Sequence, residues 1–120
     1  MYDVSARSPQ EIFTSHGKAL ESEDLDAIAA NFAENAMLVT PRGVRVGREG
    51  IREGFAELFA DLPRARWDLK VQTFAGDFLF LEWSAAGSGH NHAAHGVDVF
   101  IFRDGLIQAQ TFHYTLAPTS

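Results

Sequence analysis

The hydrophobic pattern of this chain changes from a mainly helical to a strand period near residue 64, and that change limits the fold more than any other feature. Upstream, apart from one short alternating stretch, apolar residues recur at spacings of three and four; downstream they alternate. A helical half followed by consecutive strands describes an α+β domain, not an alternating βαβ chain.

In the helical half, Ser8 and Pro9 form a cap and first turn, and Ile12, Phe13, His16, Ala19 and Leu20 follow on one stripe, predicting a helix over 9–22. Asp24 and Asp26 lead a second, short helix carrying Leu25, Ile28, Ala29 and Phe32. A strand is expected at 36–40 with Ala36, Leu38 and Thr40 on one face, then a short strand or turn in R-G-V-R-V-G. A third helix over 48–62 carries Ile51, Phe55, Leu58, Phe59 and Leu62 inward and stops at Pro63.

In the alternating half, strands are expected at 65–74, 78–86, 92–102 and 106–116, with A-G-D and R-D-G as hairpin turns. Residues 65–74 set Trp67, Leu69 and Val71 against Asp68, Lys70 and Gln72. The stretch V-D-V-F-I-F holds the most demanding residue of the chain. Asp98 is a lone carboxylate among Val97, Val99, Phe100, Ile101 and Phe102, and burying it is costly unless it is paired, hydrogen-bonded or protonated. If Asp98 points inward, so do Phe100 and Phe102, and the next strand brings in Gln110, Phe112 and Tyr114 while Thr111 and His113 turn outward.

The motifs E-D-L-D-A-I-A-A-N-F-A-E-N-A, G-R-E-G-I-R-E-G-F and V-D-V-F-I-F-R-D-G-L-I resemble those of the nuclear transport factor two-like superfamily, also called SnoaL-like, over residues 8–116. The resemblance implies a cone-shaped α+β barrel, three N-terminal helices packed in a curved, mainly antiparallel sheet. The superfamily includes ketosteroid isomerases, polyketide cyclases, epoxide hydrolases, dehydratases and plain binding or dimerisation modules, so the fold does not choose the activity. Carried over by position from ketosteroid isomerase, which uses an Asp base and an oxyanion hole built from a Tyr and a protonated Asp, Asp98 takes the protonated-acid place. His16 takes that of the oxyanion tyrosine, and Thr40 stands where the base belongs. Threonine cannot take up a proton near neutral pH, so the standard isomerase mechanism lacks its central participant.

His16 and Asp98 are therefore the catalytic candidates, expected to meet as an oriented acid/base pair. The pocket implied by the resemblance is lined by Phe13, Leu38, Thr40, Phe55, Phe59, Phe100, Gln110, Phe112 and Tyr114. The register that follows the family adds Glu82 with Phe80 and Ser84; a one-residue slip buries Leu81 and Trp83 instead. His90, His92 and His95 suggest metal, but His95 has the opposite parity to the other two, so they are expected on a pocket-rim loop with no metal site.

Composition narrows the partners. One domain is expected for 120 residues, and a net charge of −6 without any Lys/Arg run speaks against nucleic acid. With no cysteine and no long apolar run, the expectation is a cytoplasmic protein that neither forms disulfides nor spans a membrane. Val99, Ile101, Ile107 and Ala109 give the outer sheet face an apolar character that predicts a homodimer. The expected function is cofactor-free isomerisation, cyclisation or dehydration of a small hydrophobic, oxygen-bearing molecule. The alternatives are a non-catalytic ligand-binding module and a dimeric scaffold.

Overall fold

The computed structural model describes residues 4–89 and 91–118. After a short 3-10 turn, three helices, α1 (Pro9–Glu21), α2 (Leu25–Ala30) and α3 (Gly47–Asp61), are combined with six strands: β1 (Phe32–Thr40), β2 (Gly43–Val46), β3 (Arg66–Ala75), β4 (Phe78–Ala86), β5 (Asn91–Arg103) and β6 (Leu106–Pro118). The strands form one mixed sheet in the order β2-β1-β6-β5-β4-β3. All neighbours are antiparallel except β1 and β6. The cone is accordingly an open curved sheet and not a closed barrel, since its outer strands β2 and β3 do not pair with each other.

The local signals account for where the elements begin. Ser8 and Glu11 form a reciprocal capping box at α1, each side chain accepting from the other residue's backbone N–H. Asp24 caps α2 by accepting from the Ala27 N–H. Helix α1 buries Ile12, His16 and Ala19, one stripe of its surface. Helix α3 lies so close to β1 that a Cβ at Gly54 would sit 2.3 Å from Leu38 Cδ2 and displace that buried side chain.

Three bulges decide which side chains reach the concave face. In β3 the register shifts between Leu69 and Val71, which sends Val71 outward opposite Glu82 and brings Gln72 inward opposite Leu81. This reverses the simple alternation at those two residues. In β5 the shift lies between Ala93 and Gly96, and in the β5–β6 hairpin between Ile101 and Phe102. The last of these buries Ile107 fully against Phe32, so Ile107 belongs to the core and not to the outer face.

The outer face still carries two apolar rows that cross the sheet. Val46, Met37, Ala109, Ile101 and Phe78 are successive cross-strand partners in one, and Val44, Val39, Thr111, Val99 and Phe80 in the other. Val46 is 61% exposed, Phe78 52% and Phe80 40%. No helix among the described residues is long and apolar enough to cross a membrane.

Candidate functional site

A cavity of about 550 Å³ lies between α1, α3 and the concave face of the sheet. Its walls are Phe13 and Leu20 from α1, Phe55 and Leu58 from α3, Trp67 and Leu69 from β3, Leu81 and Trp83 from β4, and Phe100 and Phe112 from β5 and β6. Polar groups within it are few: His16, Gln72, Asp98 and Gln110, with Thr14, Lys18 and Glu21 on α1. A large apolar space with a few fixed polar groups is the ordinary form of a small-molecule site.

Asp98 is inward, as its strand parity requires, and almost fully buried. Both of its oxygens are held by neutral donors. Trp83 Nε1–H donates to Oδ1 at 2.9 Å and Gln110 Nε2–H donates to Oδ2 at 3.2 Å. Among the described residues, no ion pair involves it. Burial pushes its pKa up from 3.8 to about 7, while the bonds from Trp83 and Gln110 pull it partly back.

His16 lines the same cavity but makes no hydrogen bond to Asp98. Its ring is enclosed by Phe32, Phe55 and Phe100, whose centroids lie 5.5 to 5.8 Å away in edge-on arrangements. Burial pushes its pKa down from 6.5 to about 4, so near neutral pH it is an uncharged imidazole. Its Nδ1 is buried without a partner. An orphaned lone pair is cheaper than an orphaned N–H, which favours the tautomer with hydrogen on Nε2. The expected His–Asp pair is thus replaced by two separated groups with pKa values driven in opposite directions. An imidazole wrapped in phenylalanine cannot supply a counter-charge.

Of the residues expected to line the pocket, Phe13, Phe55, Phe100, Gln110 and Phe112 do so together with His16 and Asp98. Leu38 is instead packed in the core under α3, and Phe59 packs against Phe55. Thr40 and Tyr114 line a separate surface groove with Arg42 and Asp61. The Tyr114 hydroxyl donates to Asp61 Oδ2 at 2.7 Å, and burial together with that carboxylate pushes it well above its usual pKa.

Glu82 is turned away from the cavity. It lies on the outer face, 3.1 Å from His95 Nε2, and Leu79, Leu81, Trp83 and Ala85 take the inner positions of β4. The slipped register wins because it buries four apolar side chains where the other would bury a carboxylate and a hydroxyl. His92 and His95 are in β5 and not on a rim loop; His92 faces a shallow groove with Arg66 and Ser84. His90 lies outside the described residues. Among the described residues no three side chains converge as a metal site would require.

Sequence reasoning placed Trp83 inside only in the slipped register and gave it no role at the site. The signal in the sequence was limited to a tryptophan in the strand before Asp98 and a glycine two residues ahead of Asp98; the register that sets them opposite each other comes from the fold.

Residues 14–110 match the SnoaL-like domain. The chain belongs to the SnoaL-like family. Solved structures agree on the fold at low identity. The epoxide hydrolase/cyclase-like enzyme SalBIII, from pyran-ring formation in salinomycin, is 21% identical with TM-score 0.74, covering 88% of this chain and 89% of its own. A protein with a ketosteroid isomerase-like fold from Catenulispora acidiphila, solved with trimethylamine, is 21% identical with TM-score 0.72, covering 91% and 88%. An NTF2-like protein from Cytophaga hutchinsonii is 15% identical with TM-score 0.73, covering 90% of each chain. No curated protein matches the sequence. The structural neighbours of this SnoaL-like domain thus include a cyclase-like enzyme, and the likeness to them is one of fold alone.

Proposed function

We propose that this SnoaL-like protein is a cofactor-free proton-transfer enzyme acting on a small apolar, oxygen-bearing molecule, by isomerisation, cyclisation or dehydration. The observation that carries the reading is Asp98, a buried carboxyl at the cavity wall with a pKa of about 7 and only neutral donors on its oxygens. A carboxyl so poised exchanges protons near neutral pH, and its ionised form is a stronger base than that of an ordinary aspartate. Its ionised form takes a proton from a carbon beside a carbonyl, the bonding pair shifts toward the carbonyl oxygen, and the same carboxyl returns the proton at a second site. His16 stays neutral throughout and serves as hydrogen-bond donor to the substrate oxygen. That division replaces the paired roles expected for the two residues.

Proton abstraction can be followed without knowing the natural substrate. Apolar cyclic ketones such as 2-tetralone should exchange their α-hydrogens with D₂O at least about 100-fold faster with the protein than in buffer, read by NMR. The rate should rise with pH through about 7, as Asp98 ionises. A ketone that binds but exchanges no faster than in buffer, or exchange that persists in Asp98→Asn, would rule out this role. The second reading, a non-catalytic binding module, is favoured by Thr40, which lies outside the cavity and offers no base.

The reading includes a two-fold homodimer joined through the outer sheet face, supported by its two exposed apolar rows. Sedimentation should show a dimer at micromolar concentration and a monomer of unchanged circular dichroism for Phe80→Lys. A wild-type protein that stays monomeric at a hundred times that concentration would refute the pairing.

A further inference from the structure

Trp83 and Gly96 are direct cross-strand partners, yet the indole of Trp83 bonds to Asp98, two residues further along β5. It reaches that diagonal position by lying on Gly96. A Cβ at Gly96 would stand 2.1 Å from Trp83 Cε2 and 2.3 Å from Cζ2, distances no side chain tolerates. Gly96 is also the partner of Tyr114 on the other side, and the rings of Trp83 and Tyr114 lie 5.7 Å apart over it. Trp67 closes the indole from a third side at 5.2 Å, edge to face. The ring is therefore fixed in place before any ligand arrives, and its single N–H is spent on one oxygen of Asp98.

We propose that Trp83 is the positioning residue of this site, seated on Gly96 so that its indole N–H fixes the orientation of Asp98 and favours the ionised form of its carboxyl. This rests on the proton-transfer reading of Asp98 and adds the group that governs it. With Oδ1 engaged by Trp83 and Oδ2 by Gln110, the plane of the carboxyl is set, and each oxygen keeps one lone pair for a substrate proton. Neutral donors perform this task where a cation could not. An arginine or lysine in the same place would hold the carboxylate in its ordinary acidic range and leave it too weak a base. The other titratable side chains lining the cavity, His16, Lys18 and Glu21, all come from α1 and make no bond to Asp98 or Trp83. On β6, Tyr114, whose ring lies 5.7 Å from that of Trp83, gives its hydroxyl to Asp61.

Two measurements test the assignment. In the wild-type protein, the Trp83 indole N–H proton resonance should titrate with the midpoint of Asp98, near pH 7, while that of Trp67 stays flat and serves as internal control. In Trp83→Phe, which keeps an aromatic ring on Gly96, the Asp98 midpoint should rise by about one pH unit or more, since a hydrogen bond to a charged group is lost. The midpoint of the ketone-exchange profile should move with it, with kcat reduced more than KM. A Trp83 resonance indifferent to the Asp98 titration would overturn the proposal, as would an unchanged midpoint in the variant. Absence of any exchange with intact coupling between Trp83 and Asp98 would sink the enzymatic reading alone.

Discussion

Replacing Asp98 with asparagine should make the protein more stable at pH 8, by on the order of 4 kcal/mol. The folded pKa of about 7 stands about three units above the ordinary 3.8, and each unit costs the ionised folded state about 1.4 kcal/mol. Between pH 4 and 7 the folded chain keeps a proton that the unfolded chain has released, so this residue's contribution falls as pH rises. His16 acts in the other direction. Its folded pKa of about 4 lies below the ordinary 6.5, the unfolded chain binds the proton first, and stability is lost as pH falls from about 6.5 to 4. The two slopes nearly cancel in the wild type over that window. Asp98→Asn leaves only the histidine slope: stability should rise from pH 4 to 6.5 and then level off. The introduced amide fits the site, because Trp83 can still donate to its oxygen and the unpartnered Gln110 Oε1 can turn to accept from its nitrogen. Urea unfolding across pH 4–9 measures both curves. A variant no more stable than wild type at pH 8 would show that burial does not penalise this carboxylate. Such a gain on removing a group is the expected mark of a residue retained for function at the expense of stability.

Phe55→Ala should produce the largest loss. Phe55 is fully buried, with ring centroids of His16, Phe112, Phe32 and Phe59 between 5.5 and 6.5 Å away, so it joins α3 to α1, β1 and β6 at one point. Truncating such a residue costs about 3–5 kcal/mol, a large share of the roughly 5–15 kcal/mol available to a domain. Its effect on the site is separable from its effect on stability. The vacated volume opens into an existing cavity, water can enter beside His16, and the imidazole pKa should move up from about 4 toward 6.5 as desolvation is relieved. Denaturant unfolding measures the first effect and NMR titration of the His16 ring the second. An unchanged titration would mean that other side chains, and not Phe55, keep the imidazole dry.

Much of the site could be read in advance because side-chain periodicity is a local property. Asp98, Phe100 and Phe102 had to share a face once that segment was a strand, and His16 had to lie on the buried stripe of α1 with Ile12. Errors entered where the period was interrupted. A bulge in β3 exchanged Val71 for Gln72, another brought Ile107 into the core, and a register choice in β4 replaced Glu82 with Trp83. Each depends on how two strands fit together. The outcome rests on competing burials spread over both strands, and no short stretch of either one encodes it.

Spacing along single elements was enough to place a helical half before antiparallel strands, an inward carboxylate in β5 and a histidine on the apolar stripe of α1. The sequence also carried the family, through motifs that each lie within one or two adjoining elements. What meets Asp98 depends on how the elements assemble. His16 shares the cavity with it but is boxed in by phenylalanines, while Trp83 and Gln110 arrive from the two flanking strands to take its oxygens. A hydrogen bond requires two groups within about 3 Å in the right direction. Periodicity fixes the face on which a residue lies, whereas that distance is set by strand register and by the missing side chain at Gly96.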